Sequence, residues 1–343
     1  MVYKLKSNRV WRTYLGGKRI DSLYGKSNPK NSHYPEDWIA STVRAFNSGH
    51  KDTMEGLSIC QDGQVPVDLI RQAPEKVLGR NQVEKHGEQM SILVKLLDAS
   101  ERLAIQAHPT IEFSKQYLSS DFGKTECWYI VEAESDAYIY LGFKEGVTRR
   151  DWVGCFEKQD VAGMLNMLHK IPVKVGDFFF VDGGIPHAIG GGCMMVELQE
   201  PTDFMVIPER ITPSGIRLSD TKMHMGLGFE KMFDCFNYEG WSLEELKRKY
   251  YRKISIKPNE RCAIIDKTLT DKFRMEAYYI TDSIIADYED TYLVAIVIEG
   301  KGNITTRSGI HTIAKGDQLF ISAYDSNVKW QSDNGMRIVL CMP

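Results

Sequence analysis

The hydrophobic pattern of this chain changes character several times. Over residues 66–79, Val67, Leu69, Ile70, Val77 and Leu78 recur at helical spacing and the run closes on Gly79, a helix stop signal. From Ser91 the texture is different. SILVKLLDA, RLAIQAH, CWYIVEA and AYIYLGF are short runs rich in β-branched and aromatic residues, parted by polar or glycine-bearing segments, and they predict sheet strands. Helical spacing returns through Trp152, Val153, Phe156, Val161, Met164, Leu165 and Leu168, predicting a helical insertion at about 149–170. Strands resume in VGDFFFVDGG, HAIGGG and CMMVEL. Residues 201–250 are looser and end in a predicted helix over 242–250, opened by the capping-box pattern Ser242-x-x-Glu245. From residue 252 the strand pattern continues through KISIK, FRMEAYYI, YLVAIVIEG, GNITT, DQLFIS and RIVLCM.

This sequence of elements predicts a mainly β fold with helical insertions. One internal echo stands out: the nine residues from Val173 to Val181 resemble those from Ile313 to Ile321, each a lysine- and Gly-Asp-bearing turn leading into an apolar strand. Barrels reuse such turns freely. The sharper expectation is two related β-barrel modules, a catalytic unit over 1–250 and a β-rich module over 251–343, only one of which keeps a metal site.

Composition narrows the function classes. The 343 residues carry a net charge of −3, with 43 Lys and Arg against 46 Asp and Glu, and no basic patch suggests a nucleic-acid partner. The run Lys247-Arg248-Lys249 sits among acidic residues and reads as a solvated helix face. No run approaches the ~20 apolar residues of a membrane span, and the N-terminus lacks the apolar core of a secretory signal. The 7 cysteines are odd in number and form neither a disulfide framework nor a CxxC knuckle, so a reducing cytoplasm is the expected location.

Among the 8 histidines, His33, His50, His86 and His224 sit in polar sequence, His169 ends the helical insertion, and His311 has no second ligand candidate nearby. These six read as surface or capping residues. His108 and His187 differ. His108 ends an apolar run, and Gln106, two residues earlier, shares its face if the run is a strand. Glu126 enters the next apolar run, and His187 follows a turn rich in glycine. Two imidazoles, a carboxylate and an amide oxygen, with a position left for water or substrate, suit catalytic zinc, one ion per chain; the same set is open to iron(II), manganese or cobalt.

The segments LLDASERLAIQAHPT, GKTECWYIVEA, VGDFFFVDGGIPHAIG and CMMVELQEPTDF, with VWRTYLGGKRID and EDWIAST nearer the start, resemble the short bacterial type I mannose-6-phosphate isomerases, a family of the cupin superfamily. The resemblance implies a cupin-type double-stranded β-helix or jelly-roll barrel. It implies Gln106, His108, Glu126 and His187 as zinc ligands, Lys124 as a cation facing the same cavity, and Glu197 as a polar group near the sugar. Two positions depart from the family. Ala104 stands where a serine helps hold the substrate's phosphate end, and Ile207 where an arginine is treated as catalytic. Arg210, or failing that Arg217, is the expected substitute.

The activity this implies is interconversion of mannose 6-phosphate and fructose 6-phosphate through a cis-enediolate. Zinc and Lys124 would stabilise the oxyanion, Glu197 would move the proton, and Arg210 would bind phosphate or enediolate. The expected partner is a small sugar phosphate, with no nucleic acid and no membrane. Competing readings are an isomerase or epimerase of another sugar, an iron(II) cupin dioxygenase, and a sugar-binding protein without catalysis.

Overall fold

Strands dominate the computed structural model, which describes residues 1–47 and 54–343; His50 lies outside the described residues. A seven-stranded antiparallel sheet runs in the order Tyr251–Lys253, Asp177–Val181, Glu126–Ala133, Cys193–Gln199, Leu93–Ala99, Glu36–Ile39, Arg9–Val10. A four-stranded sheet is built on Tyr138–Lys144, which pairs with Leu168–Pro172, Gly240–Trp241 and His187–Ile189. A nine-stranded sheet is formed by the C-terminal strands together with the first strand of the chain, Val2–Lys4, which pairs with Gln318–Ile321. The architecture is mainly β and of cupin type, as the short β-branched and aromatic runs and the resemblance led us to expect.

Side chains two apart on a strand share a face, so register decides what each face carries. On one face of the seven-stranded sheet, Trp38 lies opposite Lys95, Lys95 opposite Glu197, and Glu197 opposite Trp128. The other face presents Val94, Leu96, Cys127, Val196 and Leu198, all buried in one apolar cluster. The same cluster takes in Met275, Ala277, Val294, Ile296, Val339 and Cys341 of the nine-stranded sheet, so the two sheets pack through apolar faces. The far face of the nine-stranded sheet, including Leu319, Ile321, Ile338 and Leu340, closes a second apolar cluster.

Several elements differ from expectation for local reasons. The helix predicted over 66–79 is two helices, Pro66–Gln72 and Pro74–Leu78, because Pro74 cannot donate to the preceding turn and starts a new helix. The insertion is likewise Arg149–Lys158 and Val161–Asn166, parted at Gln159, whose φ of 51° is left-handed, and His169 lies in the strand that follows. YLVAIVIEG and GNITT form one 14-residue strand, Leu293–Thr306. RLAIQAH is not a strand: Gln106 bridges His187 and Ala107 bridges Val206, one residue to each neighbour. The capping box forms as read, with Ser242 and Glu245 exchanging hydrogen bonds. The echoed turns are alike in detail. Gly176 and Gly316 have φ of 84° and 89°, and the Asp177 and Asp317 carboxylates accept from the amides of Lys174 and Ala314.

Candidate metal centre

The two-point bridging of residues 106–107 places His108 beside the seven-stranded sheet. The amides of Gln106 and His187 each donate to the other's carbonyl at 2.9 Å, locking the two segments together. Gly184, at φ 85°, makes the turn before His187 and donates its amide to the His108 carbonyl at 2.6 Å. Glu126 starts its own strand. His108, Glu126 and His187 therefore converge, with one donor atom from each lying within 4.8 Å of the others, and all three are buried.

Their hydrogen bonds orient them. His108 Nδ1 donates to the Phe204 carbonyl at 2.8 Å and His187 Nδ1 to the Ile185 carbonyl at 2.9 Å. With the proton on Nδ1, each ring turns the lone pair of Nε2 inward, the tautomer a metal ligand requires. These two atoms lie 3.2 and 3.4 Å from the Glu126 carboxylate. Trp128 Nε1 donates to the same carboxylate at 3.1 Å, and the Gln106 amide lies 3.2 Å from His187 Nε2. Burial drives His187 down to about 3, and burial with Lys124 depresses His108, so both rings are neutral near pH 7. Against burial, Lys124 and His108 hold Glu126 well below the usual carboxylate range. Neutral imidazoles and an ionised carboxylate are the protonation states that bind a divalent cation, so the residues present fit one.

Lys124 Nζ, also buried, donates to Glu126 Oε2 and to His108 Nε2, each at 2.6 Å. Beside it opens a small chamber of about 50 Å³ bordered by Gln106, Lys124, Glu197, Lys95, Glu36 and Arg12. Glu197 pairs with Lys95 at 2.9 Å. Burial raises Glu197, with Lys95 opposing and Glu126 adding to the rise. Arg12 pairs with Glu36 at 3.1 Å and Asp203 at 3.0 Å, over the face of Trp38. Burial disfavours the Glu36 anion, yet Arg12 and Lys95 hold it at about 2.

Arg210 does not border this chamber. Its guanidinium pairs with Asp220 at 2.7 Å and lies over Phe156 and Phe229, and Arg217 is exposed. The arginine that reaches the chamber is Arg12, brought there by the strand Arg9–Val10 on the sheet edge. Ala104 and Ile207 both line the chamber. Arg12, Glu36 and Lys95 were not singled out from sequence. Lys95 carried a usable signal, a lone charge inside SILVKLLDA; Arg12, between Trp11 and Tyr14 in the quoted segment VWRTYLGGKRID, carried a weaker one of the same kind.

Comparison with known proteins gives one direction. Residues 3–127 match the family model for the phosphomannose isomerase type I catalytic domain. The mannose-6-phosphate isomerase of Streptococcus mutans is 26% identical over 338 residues, covering 96% of this chain and 94% of the relative. The mannose-6-phosphate isomerase ManA of Bacillus subtilis is 28% identical over 247 residues, 68% of this chain and 70% of the relative. Among solved structures, a mannose 6-phosphate isomerase from Bacillus subtilis superposes with a TM-score of 0.72 at 20% identity, covering 99% of both chains. The apo form of the Salmonella typhimurium enzyme gives 0.71 at 15%, covering 99% of this chain and 98% of that one. At such identities the structural likenesses speak to fold.

Proposed function

We propose that this chain, which belongs to the type I phosphomannose isomerase family, is a zinc-dependent aldose–ketose isomerase that interconverts mannose 6-phosphate and fructose 6-phosphate. The observation that carries the reading is the convergence of His108, Glu126 and His187 with both Nε2 atoms turned toward one carboxylate. Gln106, His108, Glu126 and His187 would hold the ion. Bound there, zinc would supply Lewis-acid stabilisation of negative charge on the sugar oxygens.

The chain's own groups account for the rest. Isomerisation moves a proton between C1 and C2 through a cis-enediolate. Glu197, its carboxyl raised by burial and backed by Lys95, is the candidate acid and base for that transfer. Lys124 adds positive charge at the oxyanion in a water-poor chamber, where such charge counts most. Arg12, fixed by Glu36 and Asp203, takes the place foreseen for Arg210 and orients the hydroxyls beside C1 and C2. In this reading the chemistry lies within residues 1–250, and the strands of 251–343 support it through the apolar cluster that the two sheets share.

A coupled assay for fructose 6-phosphate formed from mannose 6-phosphate tests the proposal. Turnover by the wild-type chain, depressed by Lys124→Met far more than its metal content, is the expected result. Failure of the purified, metal-loaded chain to turn over mannose 6-phosphate would contradict it.

A further inference from the structure

The chamber beside the metal cluster has no cation to spare. Arg12 is paired with Glu36 and Asp203, Lys95 with Glu197, and Lys124 with Glu126, each partner within 3.1 Å. Its volume of about 50 Å³ has room for a water or two rather than a hexose phosphate. A dianionic phosphate placed there would meet carboxylates whose cations are already engaged.

Next to it is a cavity of about 760 Å³ that shares Asp203 and Met205 with the chamber wall. Phe204, whose carbonyl holds the His108 ring, also lines it. Its walls include Phe46, Phe122, Met205 and Met225, apolar surface suited to a sugar carbon skeleton. Two cations face it, Lys222 and Arg44, and neither forms an ion pair among the described residues. Lys222 is half-buried, and its ammonium donates to the Phe46 carbonyl at 3.2 Å, leaving further N–H groups to donate. Asp203, the cavity's carboxylate, is spent on two guanidinium nitrogens of Arg12.

We propose that the phosphate of the sugar phosphate substrate is held in this outer cavity by Lys222, assisted by Arg44, while the C1–C2 end reaches into the chamber. The proposal rests on the isomerase reading for the identity of the ligand. Its physical basis is independent: a half-buried ammonium with no carboxylate at ion-pair distance among the described residues is a site for an anion. Burial lowers the proton affinity of Lys222, with Asp203 opposing, as expected of a dehydrated cation awaiting one.

The test uses the full chain and two probes. With mannose 6-phosphate, Lys222→Met is expected to raise KM about tenfold to a hundredfold, the worth of one charge-assisted hydrogen bond. kcat should fall by less than KM rises, and Lys222→Arg should recover most of the loss. Arg44→Gln, at an exposed position, should move KM in the same direction by less. With inorganic phosphate alone, calorimetric titration should show binding to the wild type that weakens at least tenfold in Lys222→Met. Wild type that binds no phosphate, or equal binding by wild type and Lys222→Met, overturns the subsite whatever the turnover. Phosphate binding that depends on Lys222, in a chain that never converts mannose 6-phosphate, upholds the subsite and overturns the isomerase reading.

Discussion

The seven-stranded and nine-stranded sheets back onto each other through the same kind of apolar face, yet their far faces are filled differently. In the nine-stranded sheet the far face is mostly buried hydrocarbon that needs no partner, Leu319, Ile321, Ile338 and Leu340 among it, with one carboxylate, Glu276, held by Tyr278 and Arg261. In the seven-stranded sheet the far face carries Glu36, Lys95, Glu126 and Glu197, each 5% exposed or less. Burying such charges costs several kcal/mol apiece before pairing, and pairing seldom returns more than it costs. A sheet of this kind could be stabilised by the apolar filling its neighbour uses. That it is not is the sign of a face kept for chemistry.

The comparison can be broken at four places, taken from the largest expected effect downward. Removing a donor from the cluster with His187→Ala should lower turnover about a thousandfold or more, the worth of several kcal/mol of charge stabilisation, and release the bound metal. Metal analysis beside the coupled assay checks both. Breaking the charged face with Lys95→Met strands Glu197 without its partner at 2.9 Å and removes one of the two cations beside Glu36, leaving it Arg12 and the hydrogen bonds from Tyr14 and Trp38. A loss of about 3–5 kcal/mol in urea unfolding is expected. On the apolar face, Leu340→Ala removes a fully buried side chain and should cost about 2–5 kcal/mol by leaving a cavity, with metal content unchanged. If Leu340→Ala emptied the metal site while Lys95→Met left stability untouched, the division of labour between the two faces would be wrong.

The fourth is a pH effect. Glu36 sits at about 2 in the folded chain against an ordinary value of 4.5. A depressed carboxylate contributes stability that is complete above its unfolded value and is lost as pH falls through its folded one. Folding should therefore weaken between about pH 4.5 and 2 by on the order of 3 kcal/mol from this group. Glu36→Gln should flatten that part of the profile. Parallel acid profiles for wild type and Glu36→Gln would show that the network around Arg12 does not hold the carboxylate as described.

What could be read from the sequence follows the same divide. Short runs of β-branched and aromatic residues exposed the buried strands on both sheets, because a strand covered on both faces is apolar along most of its length. The histidines at 108 and 187 were separable from the other six because the first ends an apolar run beside Gln106 and the second follows a glycine-rich turn into a strand. The charged chamber was only half visible. Lys95 and Glu197 come from strands a hundred residues apart, and their pairing is set by sheet register, which no local pattern carries. Arg12 enters just after a two-residue edge strand that pairs with Glu36–Ile39. Arg210 was the nearest arginine along the chain to the expected position, but the turn it occupies directs it to Asp220 and two aromatic rings. Helix breaks at Pro74 and Gln159 were finer than apolar spacing could resolve, since the spacing persists across them.

Metal titration of the stripped enzyme tests the central claim most directly. After chelation, turnover of mannose 6-phosphate should vanish and return in proportion to added zinc, reaching its plateau at one ion per chain, and the His187→Ala variant should recover nothing. Turnover that survives chelation, or that returns equally in His187→Ala, would mean that His108, Glu126 and His187 do not hold the ion on which this chemistry depends.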